Sequence, residues 1–180
     1  MDREKIAVVL AEAKRITHHT DFVIMGSLSI LGSVAVPPPR MATSIDVDCY
    51  PLHDPGRADE ISREIGQGSD FEKNHGFYAD ALRPSIAALP EGWESRLVQL
   101  EFPGGIRAHF LEPNDAAVAK LARCEARDKR WVREGLLAGI LDENIIETRM
   151  RTAPFLDQAE QDRADSVFTN LRDWASKRRR

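Results

Sequence analysis

The segment Phe22-Val23-Ile24-Met25 ends abruptly at Gly26-Ser27, and this short apolar run constrains the fold more than any other stretch of the chain. Four consecutive apolar residues suit a strand buried on both faces, and a glycine directly after them suits a tight turn. Upstream, Ile6, Val9, Leu10 and Ala13 recur at the spacing of an amphipathic helix over residues 2–16. Downstream, Leu28 to Leu31 is short and apolar enough to begin a second helix, with Ser27 as its N-cap. The order so far is helix, strand, turn, helix, and the first helix is expected to pack on a sheet.

The next strand signal follows a loop containing Pro37, Pro38 and Pro39. From Ser44 to Tyr50 apolar and acidic residues alternate with a period of two, so Asp46 and Asp48 share one face of a strand. The stretch Arg57 to Ile65 reads as a helix with a polar face, whereas Gly66 to Leu82 has no clear period and is expected to be irregular. Ser95 to Phe102 and Ile106 to Leu111 flank Pro103-Gly104-Gly105 and predict a hairpin. Helices are predicted at Asp115 to Cys124, capped by Asn114 or Asp115, and at Arg127 to Ala138, closed by Gly139. Two more are predicted at Asp142 to Met150 and Asp157 to Ser176. The expected class is α+β: a mixed sheet with flanking helices over residues 1–112, and a helical C-terminal part, 113–180, packed on the same domain.

Composition narrows the function classes. A chain of 180 residues with 42% hydrophobic content can bury a real core without staples. Cys49 and Cys124 lie far apart in sequence and are expected to be reduced thiols in a cytoplasmic protein. The longest apolar runs are broken by Gly, Ser and Pro, which argues against a membrane span. A net charge of −4 argues against wholesale coating of nucleic acid. The basic end, Lys177 to Arg180, reads either as a solvated terminus or as an RNA contact. His18 and His19 do not face one point and read as cations favouring a helix C-terminus. Trp93, Trp131 and Trp174 could stack bases, but they sit singly in periodic segments and read as core or rim packing.

Two features carry chemistry. Carboxylates one residue apart on a strand repel each other unless a cation lies between them, and magnesium is commonly held by one or two carboxylates together with substrate phosphates. The alternative is a pair facing solvent at a strand edge. Gly26 lets the backbone approach a phosphate closely, and Ser27 offers a hydroxyl and an amide at a helix start. The alternative is an ordinary left-handed turn. If the two strands are neighbours, the features combine into a nucleotide site.

Met25-Gly26-Ser27 with Ser44-Ile45-Asp46-Val47-Asp48 resembles the DNA polymerase β-like nucleotidyltransferase superfamily, with its Gly-Ser turn and Asp-x-Asp strand. The segments Leu89 to Leu97 and Leu111 to Ala122, with Arg127-Asp128 beyond them, are similar to a bacterial family of small nucleotidyltransferases related to abortive-infection-type toxins. This resemblance implies that Gly26 and Ser27 bind a nucleoside triphosphate, that Asp46 and Asp48 hold Mg2+ or Mn2+, and that Lys120 contacts phosphate or activates the acceptor hydroxyl. Asp128 would sit beside them, with Arg127 on the nucleotide; Arg40, by its position just before the aspartate strand, reads either as a phosphate contact or as a residue that solvates the loop. The resemblance also implies transfer of a nucleotide monophosphate to RNA, tRNA included, or to protein, within a toxin–antitoxin pair. Periodicity alone would make Lys120 a surface lysine. Glu101 is a candidate third carboxylate, or else an exposed strand residue.

Three departures bear on turnover. The gap from Ser27 to Asp46 is long, Glu125 stands where many relatives carry arginine, and Arg127 replaces a more frequent lysine. Together they predict less positive charge near Asp128, and leave open a catalytically degenerate binding protein that keeps the fold.

Overall fold

The computed structural model describes residues 1–80 and 88–178. Ala81 and Leu82, at the end of the stretch expected to be irregular, and Arg179 and Arg180 of the basic end lie outside the described residues. The order of elements is α1 (Arg3–Thr17), β1 (Asp21–Ile24), α2 (Ile30–Ser33), β2 (Asp46–Pro51), α3 (Ala58–Ile65), α4 (Asp70–His75) and β3 (Tyr78–Asp80). These are followed by β4 (Val98–Phe102), β5 (Ile106–Phe110), α5 (Pro113–Arg123), α6 (Ala126–Leu137), α7 (Glu143–Met150) and α8 (Gln158–Ser176).

The apolar run of β1 becomes the centre of the sheet because all four of its residues are buried. The strand order is β3-β2-β1-β5-β4. β1 pairs antiparallel with β2 and parallel with β5, while β2 pairs parallel with β3 and β4 antiparallel with β5. The sheet is therefore mixed, and the hairpin expected around Gly104-Gly105 forms its outer edge. α1 packs against α3 and against β2 and β5, and α2 lies against β4 and β5. At Gly32 in α2 an added Cβ would fall 2.3 Å from Cβ of Phe110, so α2 can sit this close only without a side chain there. α5 packs against α6, α7 and α8, which gathers the C-terminal helices around it.

Local chemistry explains the element ends. Asp2 caps α1 by accepting from the Lys5 amide at 2.9 Å. α5 starts earlier than expected: Glu112 is its cap, accepting from the amides of Asn114 and Asp115, and Pro113 takes the first helical position. Asn114 and Asp115 are thus buried helix residues rather than caps. Ser27 is not a side-chain cap either, since the chain enters a 3-10 turn at Ser27–Ser29 before α2. Gly66 to Leu82 is not wholly irregular. Ser69 caps α4 by accepting from the Glu72 amide, and the three-residue β3 follows. Both elements are too short to impose a readable period.

Candidate functional site

Strand register assembles the acidic half of the site. In the parallel pair of β2 and β3, Asp46 lies opposite Tyr78 and Asp48 opposite Asp80. Because side chains alternate along a strand, Asp46, Asp48 and Asp80 share one face. Carboxylate oxygens from all three come within 4.8 Å of one another. Asp48 is pushed up to about 7, first by burial and then by the charges of Asp46 and Asp80, while Lys120 and Arg123 pull it back down. Asp80 is also raised, by burial and by Asp46. The Ser44 hydroxyl donates to Asp46 Oδ1.

The turn after β1 leans directly on this group. The Met25 amide donates to the Asp48 carbonyl at 2.9 Å, extending the pairing of β1 with β2 to the foot of the turn. Gly26 then takes φ 63° and ψ −148°, a region that only glycine occupies at ease. A Cβ on Gly26 would lie 1.5 Å from Asp48 Oδ2, so the absent side chain is the space the carboxylate fills.

The basic half comes from the helices. Lys120 on α5 is 4% exposed, which overturns the surface position that periodicity alone suggested. Its ammonium donates to Ser27 Oγ at 3.0 Å, lies 3.4 Å from Asp128 Oδ1, and stands 5.0 Å from the ring centroid of Trp131. Burial pulls the Lys120 ammonium below its ordinary value, against the opposing charges of Asp128 and Asp48. Asp128 is 1% exposed and accepts twice from the Arg123 guanidinium, at 2.8 and 2.6 Å, and once from the Glu125 amide. Burial alone would raise Asp128, yet Arg123 and Lys120 hold it below the usual carboxylate value. The Trp131 indole N–H donates to the carbonyls of both Ser27 and Met41, at 3.2 and 3.1 Å.

These residues surround a cleft of about 330 Å³, lined by the three aspartates, Ser27, Thr43, Ser44, Trp131 and four arginines, Arg40, Arg123, Arg127 and Arg130. Acid thus lies on the strands and cation on α5, α6 and the turn Pro39–Met41. Of the residues singled out in the sequence, the structure brings together Gly26, Ser27, Arg40, Asp46, Asp48, Lys120, Arg127 and Asp128. It does not bring in Glu101. That residue is exposed on β4, opposite Arg107, at the far edge of the sheet, and Asp80 completes the acidic group instead. Glu125 does draw on the positive charge near Asp128, since it pairs with Arg127 at 2.8 Å and lies 3.9 Å from Arg123, but Arg123, one helical turn after Lys120, still pairs with Asp128 directly. Sequence reasoning missed Asp80, Ser44, Arg123 and Arg130, and read Trp131 as core or rim packing, which its burial bears out although it also lines the cleft. Spacings of three and four residues link Lys120 to Arg123 and Arg127 to Arg130 and Trp131, and that pattern was a usable signal.

The donor set suits a hard divalent cation: three carboxylates on one face, one of them disfavoured as an anion until a cation joins it. A mixed sheet that sets a Gly-Ser turn beside aspartates on the neighbouring strands, with helices closing the cleft, defines a nucleotidyltransferase-like fold. The chain belongs to the family described as nucleotidyltransferase of unknown function (DUF6036), whose model matches residues 4–179. No curated protein and no solved structure matches the chain. Among the described residues no helix is long and apolar enough to cross a membrane.

Proposed function

We propose that the protein transfers a nucleotide monophosphate from a nucleoside triphosphate to an acceptor hydroxyl, with a divalent cation at the aspartates. The observation that carries this reading is the opposition, across one cleft, of Asp46, Asp48 and Asp80 to Lys120 and Arg123, with the Ser27 turn between them. Asp46, Asp48 and Asp80 would hold Mg2+ or Mn2+. The cation would neutralise triphosphate charge and polarise the reacting oxygens. Ser27, Lys120, Arg123, Arg127 and Arg40 would hold the phosphates, Lys120 from a fixed position set by Ser27 and Asp128. In the reaction the acceptor oxygen bonds to the α-phosphorus as the bridging bond to the β-phosphate breaks. Pyrophosphate leaves, and the acceptor proton passes to solvent or to a carboxylate. Catalysis of this kind is chiefly positioning and charge neutralisation, which fixed cations supply without reorganisation.

The test is incubation with each ribonucleoside triphosphate labelled at the α-phosphate, with Mg2+ or Mn2+ and with RNA or protein as acceptor. Label should appear on one acceptor class with the unaltered chain and be lost in Asp46→Ala and Asp48→Ala. Equal nucleotide binding and equal labelling by parent and variants would refute the reading. Metal-dependent binding without any transfer would instead support a catalytically degenerate binding protein. A toxin role with an antitoxin partner rests on the resemblance of the sequence alone. Growth arrest on expression, relieved by Asp46→Ala, tests it.

A further inference from the structure

Trp131 touches three separate parts of the cleft, although it is 2% exposed and its place in α6 suggests only core packing. Its single N–H is shared between the carbonyls of Ser27, in the turn after β1, and Met41, in the turn that carries Arg40. Its ring lies under the ammonium of Lys120, which reaches Ser27 Oγ from α5. Lys120 is buried beside Asp128, and the ring face of Trp131 adds to that pairing by favouring the charged form where water is excluded. A bound carbonyl also fixes its own peptide plane, because the peptide unit is rigid. One side chain therefore fixes the Ser27 peptide, the Met41 peptide and the Lys120 cation relative to one another. These three groups lie 14 or more residues apart in sequence and have no shared element.

Resting on the nucleotide-transfer reading above, we propose that Trp131 is the positioning residue of the triphosphate cradle: it sets the Ser27 turn, the Arg40 turn and the Lys120 ammonium in register before nucleotide arrives. It does so through the rigid indole and not by contact with the reacting atoms. The acidic group does not depend on it, since Asp46, Asp48 and Asp80 are held by strand pairing. Nucleotide affinity and metal affinity should consequently respond differently to its loss.

The experiment compares the full-length parent with Trp131→Phe, which keeps a ring for Lys120 and loses the N–H, and with Trp131→Leu, which loses both. Mn2+ binding is measured alone, and ATP, GTP, CTP and UTP binding at saturating Mn2+. For Trp131→Phe the nucleotide dissociation constant should rise about tenfold, the loss of one well-placed hydrogen bond, at unchanged Mn2+ affinity. Trp131→Leu should weaken nucleotide further, again without loss of Mn2+. Hydrogen exchange gives a second readout that needs no ligand: Trp131→Phe should speed exchange in residues 27–31 and 40–42 together, leaving residues 22–24 protected. If the parent binds no nucleotide with Mn2+, the nucleotide-transfer reading falls, and the exchange experiment alone decides whether Trp131 couples the two turns. Unchanged exchange in both turns overturns the proposal, as does equal weakening of Mn2+ and nucleotide, which would mark a residue that merely supports the core.

Discussion

Gly26→Ala puts the geometry of the site to its most direct test. Gly26 sits at φ 63° and ψ −148°, where a non-glycine residue costs about 1–3 kcal/mol before any contact is considered. The new Cβ would then lie 1.5 Å from Oδ2 and 2.6 Å from Cγ of Asp48. The Asp48 backbone cannot retreat, because its carbonyl holds the Met25 amide at 2.9 Å. The carboxylate must therefore rotate out of the acidic group, at about 1 kcal/mol for a strained rotamer. A combined loss of about 2–4 kcal/mol corresponds to a fall of roughly 5–15 °C in Tm for a chain of this length. Gly104→Ala is the control. Its φ of 81° carries a backbone cost of about 1–2 kcal/mol, but nothing lies within 4 Å of its added Cβ, and it is in the hairpin far from the cleft. The decisive comparison is thermal unfolding with and without Mn2+. At 100 times its dissociation constant a ligand adds about 2.7 kcal/mol, which parent and Gly104→Ala should both retain. Gly26→Ala should lose most of it, because one of three ligands has been displaced. Gly26→Ala with the parent's Tm and an undiminished response to Mn2+ would refute the seating of Asp48 against the turn, and with it the site as built.

Asp80→Asn should weaken Mn2+ binding about 10–100-fold in a direct titration, whereas Glu101→Gln, on the far edge strand, should leave it unchanged; the reverse outcome would restore Glu101 as the third carboxylate. Asp115, fully buried, accepts from Arg96 at 2.8 and 3.0 Å and lies 3.1 Å from Arg149, so Asp115→Asn leaves partly buried cations underpaired. Urea unfolding should show a loss of about 2–3 kcal/mol, and a loss under about 1 kcal/mol would contradict the network. Asp21 is lowered from 3.8 to about 2: burial acts to raise it, but the side chains of Arg107, His109 and Thr20 outweigh burial. A depressed carboxylate contributes stability above its unfolded value, here near pH 4, and loses it as pH falls toward about 2. Because Arg107 is half exposed, the expected extra loss between pH 5 and pH 2, relative to Asp21→Asn, is about 1–2 kcal/mol, and parallel pH profiles would refute it.

Much of this could be read before the fold was known, for identifiable reasons. β1 and β2 announced themselves because burial on both faces demands an unbroken apolar run, and burial on one face demands alternation. Gly26 was legible as the turn that ends such a run, although its actual use, making room for a carboxylate, depends on a strand 22 residues later. Lys120 shows the opposite case. Its surroundings on α5 say only that it lies on a helix, and its burial comes from Ser27, Asp128 and Trp131, all supplied by other elements. Asp80 was hidden for a simpler reason: a three-residue strand carries no period, so only the parallel pairing with β2 identifies the face on which it points. Glu101 looked equally eligible in the sequence because alternation states which residues share a face within a strand, and never which strand will be the neighbour.

The arrangement also accounts for why the pieces need one another. Three carboxylates within 4.8 Å oppose their own ionisation, and this adds to burial, the larger cause, in pushing Asp48 up to about 7. Lys120 and Arg123 lessen it, but both are themselves committed to Asp128, which is buried and caps the start of α6. Removing Asp128 would therefore not free two cations for the aspartates. It would leave Lys120 buried with only a hydroxyl and a ring beside it, and would loosen the helix that carries Arg127, Arg130 and Trp131. The cations of α5 are thus balanced first by Asp128, which leaves the carboxylates of the strands only partly compensated. A divalent cation on one side and a polyphosphate on the other are the ligands that would join the two.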